Sequence, residues 1–313
     1  MLESFLAALR VVLPMALLML VGVGVRKAGL TDRPAMRNVD RLTFRLFMPV
    51  LLFKNIYETD LSQSFEPREV LFAVLALLAI FPVALLLPRR LEKDRSKAAA
   101  MGQAMMRTNY ILFGIAVAES IYGEGNIGPV ALLGAFVVPL TNAFSVVILE
   151  AGRAGRADPA KLLLSILKNP MVLATLAALV MMALPFRLPE LLWGVVKDIA
   201  GVTTTISFIS LGVSLDLGEA LANRRPLVIG TALRMALIPL VFLPLSVALG
   251  FRGQSLCGLM VLFAAPTAVA SYPMAVAMGA DGPLAGQLVC ATTVLSVFTM
   301  FGYTFLFKSL GLL

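Results

Sequence analysis

The sequence predicts an all-α polytopic membrane protein of ten helices, arranged as two inverted repeats of five. Three observations predict it. Of its residues 59% are hydrophobic and 14% charged, with a mean hydropathy of +0.92, whereas an average soluble domain carries about 25% charged residues. The basic residues gather at alternate helix ends. Proline, glycine and aspartate recur at matching places when the sequence is slid against itself by half its length.

An apolar run of about 20 residues crosses a bilayer as a helix. Ten such runs occur, at 5–25, 38–57, 69–88, 98–121, 127–149, 164–184, 190–214, 226–249, 255–278 and 284–307. Span one opens without a basic stretch ahead of it and further spans follow at once, so it reads as a retained helix and not a signal peptide. The connections are short, which leaves no appended soluble domain.

A net charge of +8 suggests nucleic acid only until its distribution is read. Arg26, Lys27, Arg33, Arg37, Arg41 and Arg45 follow span one, and Arg89, Arg90, Lys93, Arg95, Lys97 and Arg107 follow span three. Arg153, Arg156, Lys161 and Lys168 follow span five, and Arg224 and Arg225 follow span seven. The connection after span two, with Glu58, Asp60, Glu66, Arg68 and Glu69, is acidic. By the positive-inside rule the odd-to-even connections are cytoplasmic, and both termini of this multi-pass cell-membrane (inner-membrane) protein lie on the other side. The partner is therefore a lipid bilayer, and no nucleic acid is expected.

Cys257 and Cys290 lie within spans and have no metal-ligand neighbours, so they read as small apolar residues. The chain has no histidine, which excludes two-histidine metal sites, histidine-based triads and histidine proton relays. No metal or cofactor is expected.

The half-length shift aligns Pro14-Met15 with Pro170-Met171, Asp60-Leu61 with Asp216-Leu217, Pro88 with Pro244 and Gly123 with Gly279. It divides the chain into repeats at 1–156 and 157–313. Five spans is an odd number, so the second repeat enters the membrane from the opposite side. Inverted repeats recur in secondary transporters, with substrate held near the midplane by interrupted helices of the two halves.

Span nine contains "AAPTAVASYPMAVAMGAD", with Pro266 and Pro273 in an otherwise apolar run. Its partner under the shift is span four, "MMRTNYILFGIAVAESIYG", where Asn109 falls opposite Ala265, beside Pro266. Both sets of polar or helix-breaking residues lie close to mid-bilayer. The two prolines are expected to unwind span nine where it crosses span four, freeing backbone groups for a ligand. The competing reading is a simple kink, which membrane helices tolerate.

At these residues the chain resembles the auxin efflux carrier family, within the wider group that includes bile-acid:sodium symporters. The resemblance is carried by "LMLVGVGVRKAGL", "LFMPVLLFKNI", "RTNYILFGIAVAESIYG", "VVPLTNAF", "ISLGVSLDL", "RMALIPLVF" and the span-nine stretch, in that order over essentially the whole chain. It implies a ten-helix fold with spans four and nine crossing, a scaffold of spans one, two, six and seven, and a transport domain of spans three to five and eight to ten. It also implies organic-anion cargo, elevator-like motion and a homodimer. The family's span-four asparagine maps to Asn109 and its crossover proline to Pro266. Where many relatives carry proline after "FGI" this chain has Ala116, so Gly114 is the candidate source of flexibility there.

A carboxylate is held without a buried cation when it meets the N-terminal ends of half-helices and a few neutral donors. Asn109, Thr108, Thr267, Ser271 and Tyr272 are the groups available at the break, with Thr141 and Asn142 of span five placed to contact it. The bland role for Asn109 is bonding loose backbone in its own helix. Arg234 in span eight attracts anions, pairs with a carboxyl group, or snorkels to the interface, and Arg107 sits comparably in span four. The run Thr203 to Ser207 either lines a water path or bonds its own backbone.

These features point to a secondary carrier for small organic anions, mono- or dicarboxylates or auxin-like acids. A sodium-coupled symporter would need carboxylate and carbonyl oxygens clustered at the crossover, where no Asp or Glu lies within about a turn. The nearest acid in sequence is Glu119. A membrane enzyme would need a nucleophile with its base, or a metal cluster, and an ATP-driven pump a phosphate-binding loop. None is visible in the sequence, which leaves the coupling ion, proton or sodium, open.

Overall fold

The computed structural model describes residues 2–58, 66–123, 127–153, 164, 166–183 and 188–313. Asp60 and Leu61 of the repeat comparison, and Arg156 and Lys161 of the loop after span five, lie outside the described residues.

The expected spans coincide with helices. Spans one to three are α1 (Leu2–Lys27), α2 (Arg33–Leu42, continued by Thr43–Phe47 and Met48–Tyr57) and α3 (Pro67–Leu91). Span four is two helices, α4 (Arg95–Met106) and α5 (Tyr110–Tyr122). Then come α6 (Gly128–Arg153), α7 (Pro170–Ala183), α8 (Glu190–Ser214), a short α9 (Leu217–Ala222) and α10 (Arg224–Ala248). Span nine is again two helices, α11 (Gly253–Ala264) and α12 (Ser271–Met278), and α13 (Gly282–Ser309) follows. Five of these, α3, α6, α8, α10 and α13, are by themselves long and apolar enough to cross a membrane.

Aspartate starts four of the helices. Asp32, Asp94, Asp216 and Asp281 each accept from a backbone N–H of the first turn of α2, α4, α9 and α13, which supplies a partner to donors that would otherwise have none. Two helices widen into π turns, at Thr43–Phe47 in α2 and Leu233–Leu237 in α10. Each π turn ends two residues before a proline, Pro49 and Pro239. A proline ring clashes with the carbonyl four residues earlier, and a locally wider turn relieves the clash. The widening in α10 contains Arg234.

Small residues bring the helices together. A Cβ on Gly22 of α1 would fall 2.1 Å from the Ile209 carbonyl oxygen of α8, and one on Gly212 would fall 2.0 Å from that of Met19. Backbone therefore meets backbone along the α1–α8 seam, the packing that small residues allow between helices in lipid. α2 packs on α7 and on α8, whereas α4 packs between α3 and α6. Gly102 of α4 approaches α3 in the same way, its Cβ position being 2.3 Å from the Ala84 carbonyl oxygen.

The outer helices carry the exposed apolar side chains, among them Leu71, Leu75 and Leu78 of α3, Leu240 of α10 and Phe298 of α13. The broken spans are enclosed. Every residue from Ala98 to Met106 in α4 and from Ser255 to Ala264 in α11 is buried. The two interruptions thus lie inside the bundle, away from lipid.

Candidate binding site at the crossing of two broken helices

The first interruption is Arg107-Thr108-Asn109, with Arg107 extended at φ −92°, ψ 112° and Asn109 at φ −81°, ψ 52°. The second runs from Ala265 to Ala270. Ala265 is extended at φ −67°, ψ 154°, as the residue before a proline must be, and Pro266 has no N–H with which to continue α11. Only Pro266 of the two prolines lies in the break. Pro273 sits in the first turn of α12, where a missing N–H costs nothing, so the expectation that both unwind the helix is corrected.

The two interruptions pair with each other. Thr108 and Thr267 form an isolated antiparallel bridge, in which the Asn109 amide donates to the Pro266 carbonyl at 2.8 Å and the Ala268 amide to the Arg107 carbonyl at 3.3 Å. Side chains lock it further: Thr292 of α13 accepts from the Thr267 amide at 3.1 Å, and the Thr267 hydroxyl donates to the Ala104 carbonyl at 3.1 Å. Backbone groups freed by the breaks are therefore largely satisfied by the opposing break, which is what makes irregular backbone tolerable at this depth.

Arg234 completes the cross. Its guanidinium is 2% exposed and donates to Ala265 O (2.6 and 3.0 Å), Leu262 O (3.1 Å) and Met105 O (3.2 Å). These are carbonyls at the C-terminal ends of α11 and α4. One cation thus caps the negative ends of both first half-helices. Two of the roles expected from the sequence are displaced by this one: Arg234 is buried, and its hydrogen bonds go to carbonyl oxygens and not to an acid or the interface.

The other buried arginine is differently placed. Arg107 is 6% exposed, and among the described residues its side chain's only hydrogen bonds are from Nη1 to the Met274 sulfur at 2.8 Å and to the Ala270 carbonyl at 3.4 Å. Among the described residues no carboxylate pairs with it. At the two breaks Thr108 Oγ1, Asn109 Nδ2 and Ser271 Oγ are buried without a hydrogen-bond partner among the described residues, as are Gln103 one turn earlier and Asn142 Oδ1 of α6. Neither α5 nor α12 has a side-chain cap at its start. A nearly naked guanidinium, an amide donor and hydroxyls, beside two uncapped helix N-termini, make up the donor set that an anion requires.

The remaining sequence candidates have other partners. Thr141 bonds the Val138 carbonyl of its own helix at 3.0 Å, and the Tyr272 hydroxyl donates to Ser214 of α8. Gly114 lies inside α5, outside the break. A Cβ there would fall 2.9 Å from a methyl group of Val130, so the residue permits close packing. Thr203 donates to the Phe47 carbonyl at the end of the α2 π turn at 3.0 Å, and Ser207 to Thr203 O at 2.7 Å, so these two members of the polar run serve the backbone.

Besides Glu150, which Arg153 pairs, two acids are buried in a way the sequence reading missed, Asp40 of α2 at 0% exposure and Glu69 of α3 at 3%. Their signal was a lone acid at the edge of an apolar run, which by itself resembles an ordinary helix-end charge.

A search of curated proteins returns no match to the chain. A family model described as membrane transport protein matches residues 7–154 and 156–304. With both segments of that match covering nearly the whole length, the chain belongs to this family of membrane transporters, the auxin efflux carrier-like family that its sequence motifs resemble.

Proposed function

We propose that the protein carries small organic anions, mono- or dicarboxylates or auxin-like acids, across the cell membrane by an elevator-type alternating-access mechanism. The observation that carries this reading is Arg107, a buried cation at the crossing of the broken helices with one long carbonyl contact and a thioether for company. An unpaired charge in such surroundings is costly, and residues of this kind within membrane helices are usually functional. An anionic group lodged between Arg107, Asn109, Thr108 and Ser271 would complete their hydrogen bonding.

The packing supports an assignment of the moving parts. α1 packs on α8 and α2 on α7, and exchanging the two halves of the chain converts one pair into the other. This supports an inverted repeat whose spans one, two, six and seven form a scaffold. Spans three to five and eight to ten would form the carrier, tied together by the crossing and by Arg234. The two segments of the family match, 7–154 and 156–304, fall on either side of the same midpoint. Both termini would lie on the non-cytoplasmic side, and the carrier would work as a homodimer.

Uptake of a panel of labelled carboxylates into proteoliposomes tests the reading. At least one carboxylate is expected to be taken up, and Asn109→Ala, correctly inserted, should reduce that uptake at least about tenfold, since a hydrogen bond to a charged group is worth about 1.5–3 kcal/mol. Normal uptake by the variant would remove Asn109 from the site.

A further inference from the structure

Asp40 stands apart from the anion site and asks for a ligand of the opposite sign. It lies on α2, fully buried, with Oδ1 accepting from Ser210 of α8 and Oδ2 without a partner. One turn further, at the start of the π turn, the Thr43 hydroxyl is also buried and unpartnered. Tyr272, at the start of α12, donates to Ser214, one turn after Ser210 on α8. Three helices therefore meet in one patch of hydroxyls around one carboxyl group: α2 and α8, which the proposed function places in the scaffold, and α12, which it places in the carrier.

Among the described residues no cation neutralises this group. Facing it from α8 are Ser210 and Ser214 and from α12 Tyr272, none of them basic. On its own helix Arg37 and Arg41 are exposed, and Arg33 is paired with Asp216 and Glu219 at 2.9 and 2.8 Å. Arg26 of α1 is bonded to the carbonyls of Val213 and Leu215, and Arg107 to α12. A buried carboxylate with no counter-charge is costly, and the group escapes that cost by binding a proton. A metal ion is a poorer alternative, because hard cations such as calcium or magnesium take six or more oxygen ligands, and among the described residues no group of three or more acids, histidines or cysteines is gathered to hold one.

A cleft reaches this patch. Tyr272 and Ser214 line it together with Arg33, Arg37, Asp216 and Glu219, and its volume is about 80 Å³. That is room for a few waters in polar surroundings. Tyr272 thus belongs both to the cleft and to the hydroxyl patch.

We propose that Asp40 is a proton-binding site, filled from this cleft past Tyr272, whose occupancy sets how firmly α12 is held against α2 and α8. Only a proton moves: one is taken from water onto Oδ2 and returned to water, and no other bond changes. With the proton bound, the patch is neutral and α12 can slide over the scaffold. With the proton lost, the charge must keep its hydroxyl donors and the contact is held. This is a means of coupling, and it rests on the proposed transport reading for its role, although proton binding itself does not.

Infrared difference spectroscopy of the purified protein in lipid, stepped in pH, tests the site without any cargo. The wild type should show a protonated-carboxyl stretch that titrates with pH and shifts in deuterated water. Asp40→Asn should lose that band, and Glu69→Gln, which alters another buried acid, should keep it. If Asp40→Asn does not fold, Tyr272→Phe should displace the titration midpoint of the band. A difference spectrum identical in wild type and Asp40→Asn, or a midpoint unmoved in Tyr272→Phe, would overturn the proposal. So would a band displaced by replacing choline chloride with sodium chloride, which would make the patch a sodium site. Because no transported molecule is involved, a positive result here stands even if the carboxylate panel fails.

Discussion

Arg234→Met should yield a protein that melts roughly 10 °C or more below the wild type, or does not fold at all. The side chain is replaced by one of similar length, so volume is nearly kept and what is lost is charge and donors. Three buried carbonyls, of Met105, Leu262 and Ala265, would then have lost this partner, at about 1–3 kcal/mol each, against a total stability of about 5–15 kcal/mol for a typical protein. A shift of about 2–4 °C per kcal/mol for a domain of 150–250 residues gives the scale. Arg234→Lys should fall between, because an ammonium keeps the charge but cannot reach carbonyls on two helices with a planar fork. A thermal melt of the purified variants is the check. A wild-type melting temperature in Arg234→Met would mean that the crossing holds without its cap.

Arg107 should behave in the opposite sense. Arg107→Gln removes a buried cation that no carboxylate balances, so the unliganded protein should melt no lower than the wild type and preferably higher. Transport and binding of the anion should nevertheless fall by about 30-fold or more, since truncating one partner of a buried charge pair costs about 2–5 kcal/mol. Arg107→Lys should retain part of the affinity, as a point charge still attracts the anion but loses bidentate geometry. The pairing of unchanged or improved stability with lost binding separates a ligand-binding arginine from a structural one. If Arg107→Gln instead unfolds like Arg234→Met, Arg107 belongs to the scaffolding of the crossing and the charge for the anion must come from elsewhere.

The two arginines also show what could be read from the sequence alone. Both stand inside or beside apolar runs, and local sequence treats them alike. Their difference arises from what other helices bring: α10 widens before Pro239 and carries Arg234 to the ends of α4 and α11, while the Arg107 side chain bonds Met274 of α12 and Ala270 just ahead of it. The helices themselves were legible because lipid permits few alternatives to a long apolar helix. Pro266 announced the break in span nine. The break in span four has no proline, and Asn109 located it only because a half-length shift set that residue beside Pro266. Gly114 was misplaced for the converse reason: a glycine reads as flexibility, but its neighbours Val130 and Val261 make it a packing position. Asp40 was hidden because its partner, Ser210, is 170 positions away.

The central claim is that the crossing of the broken helices is an anion site built on Arg107. Its most direct test is equilibrium binding to the purified wild-type protein of small labelled carboxylates and, in parallel, of their uncharged amides at the same pH. The account predicts that at least one carboxylate binds and raises the melting temperature, that its amide does neither, and that Arg107→Gln abolishes the distinction. Equal binding of the carboxylate and its amide, or carboxylate affinity unchanged in Arg107→Gln, would contradict it.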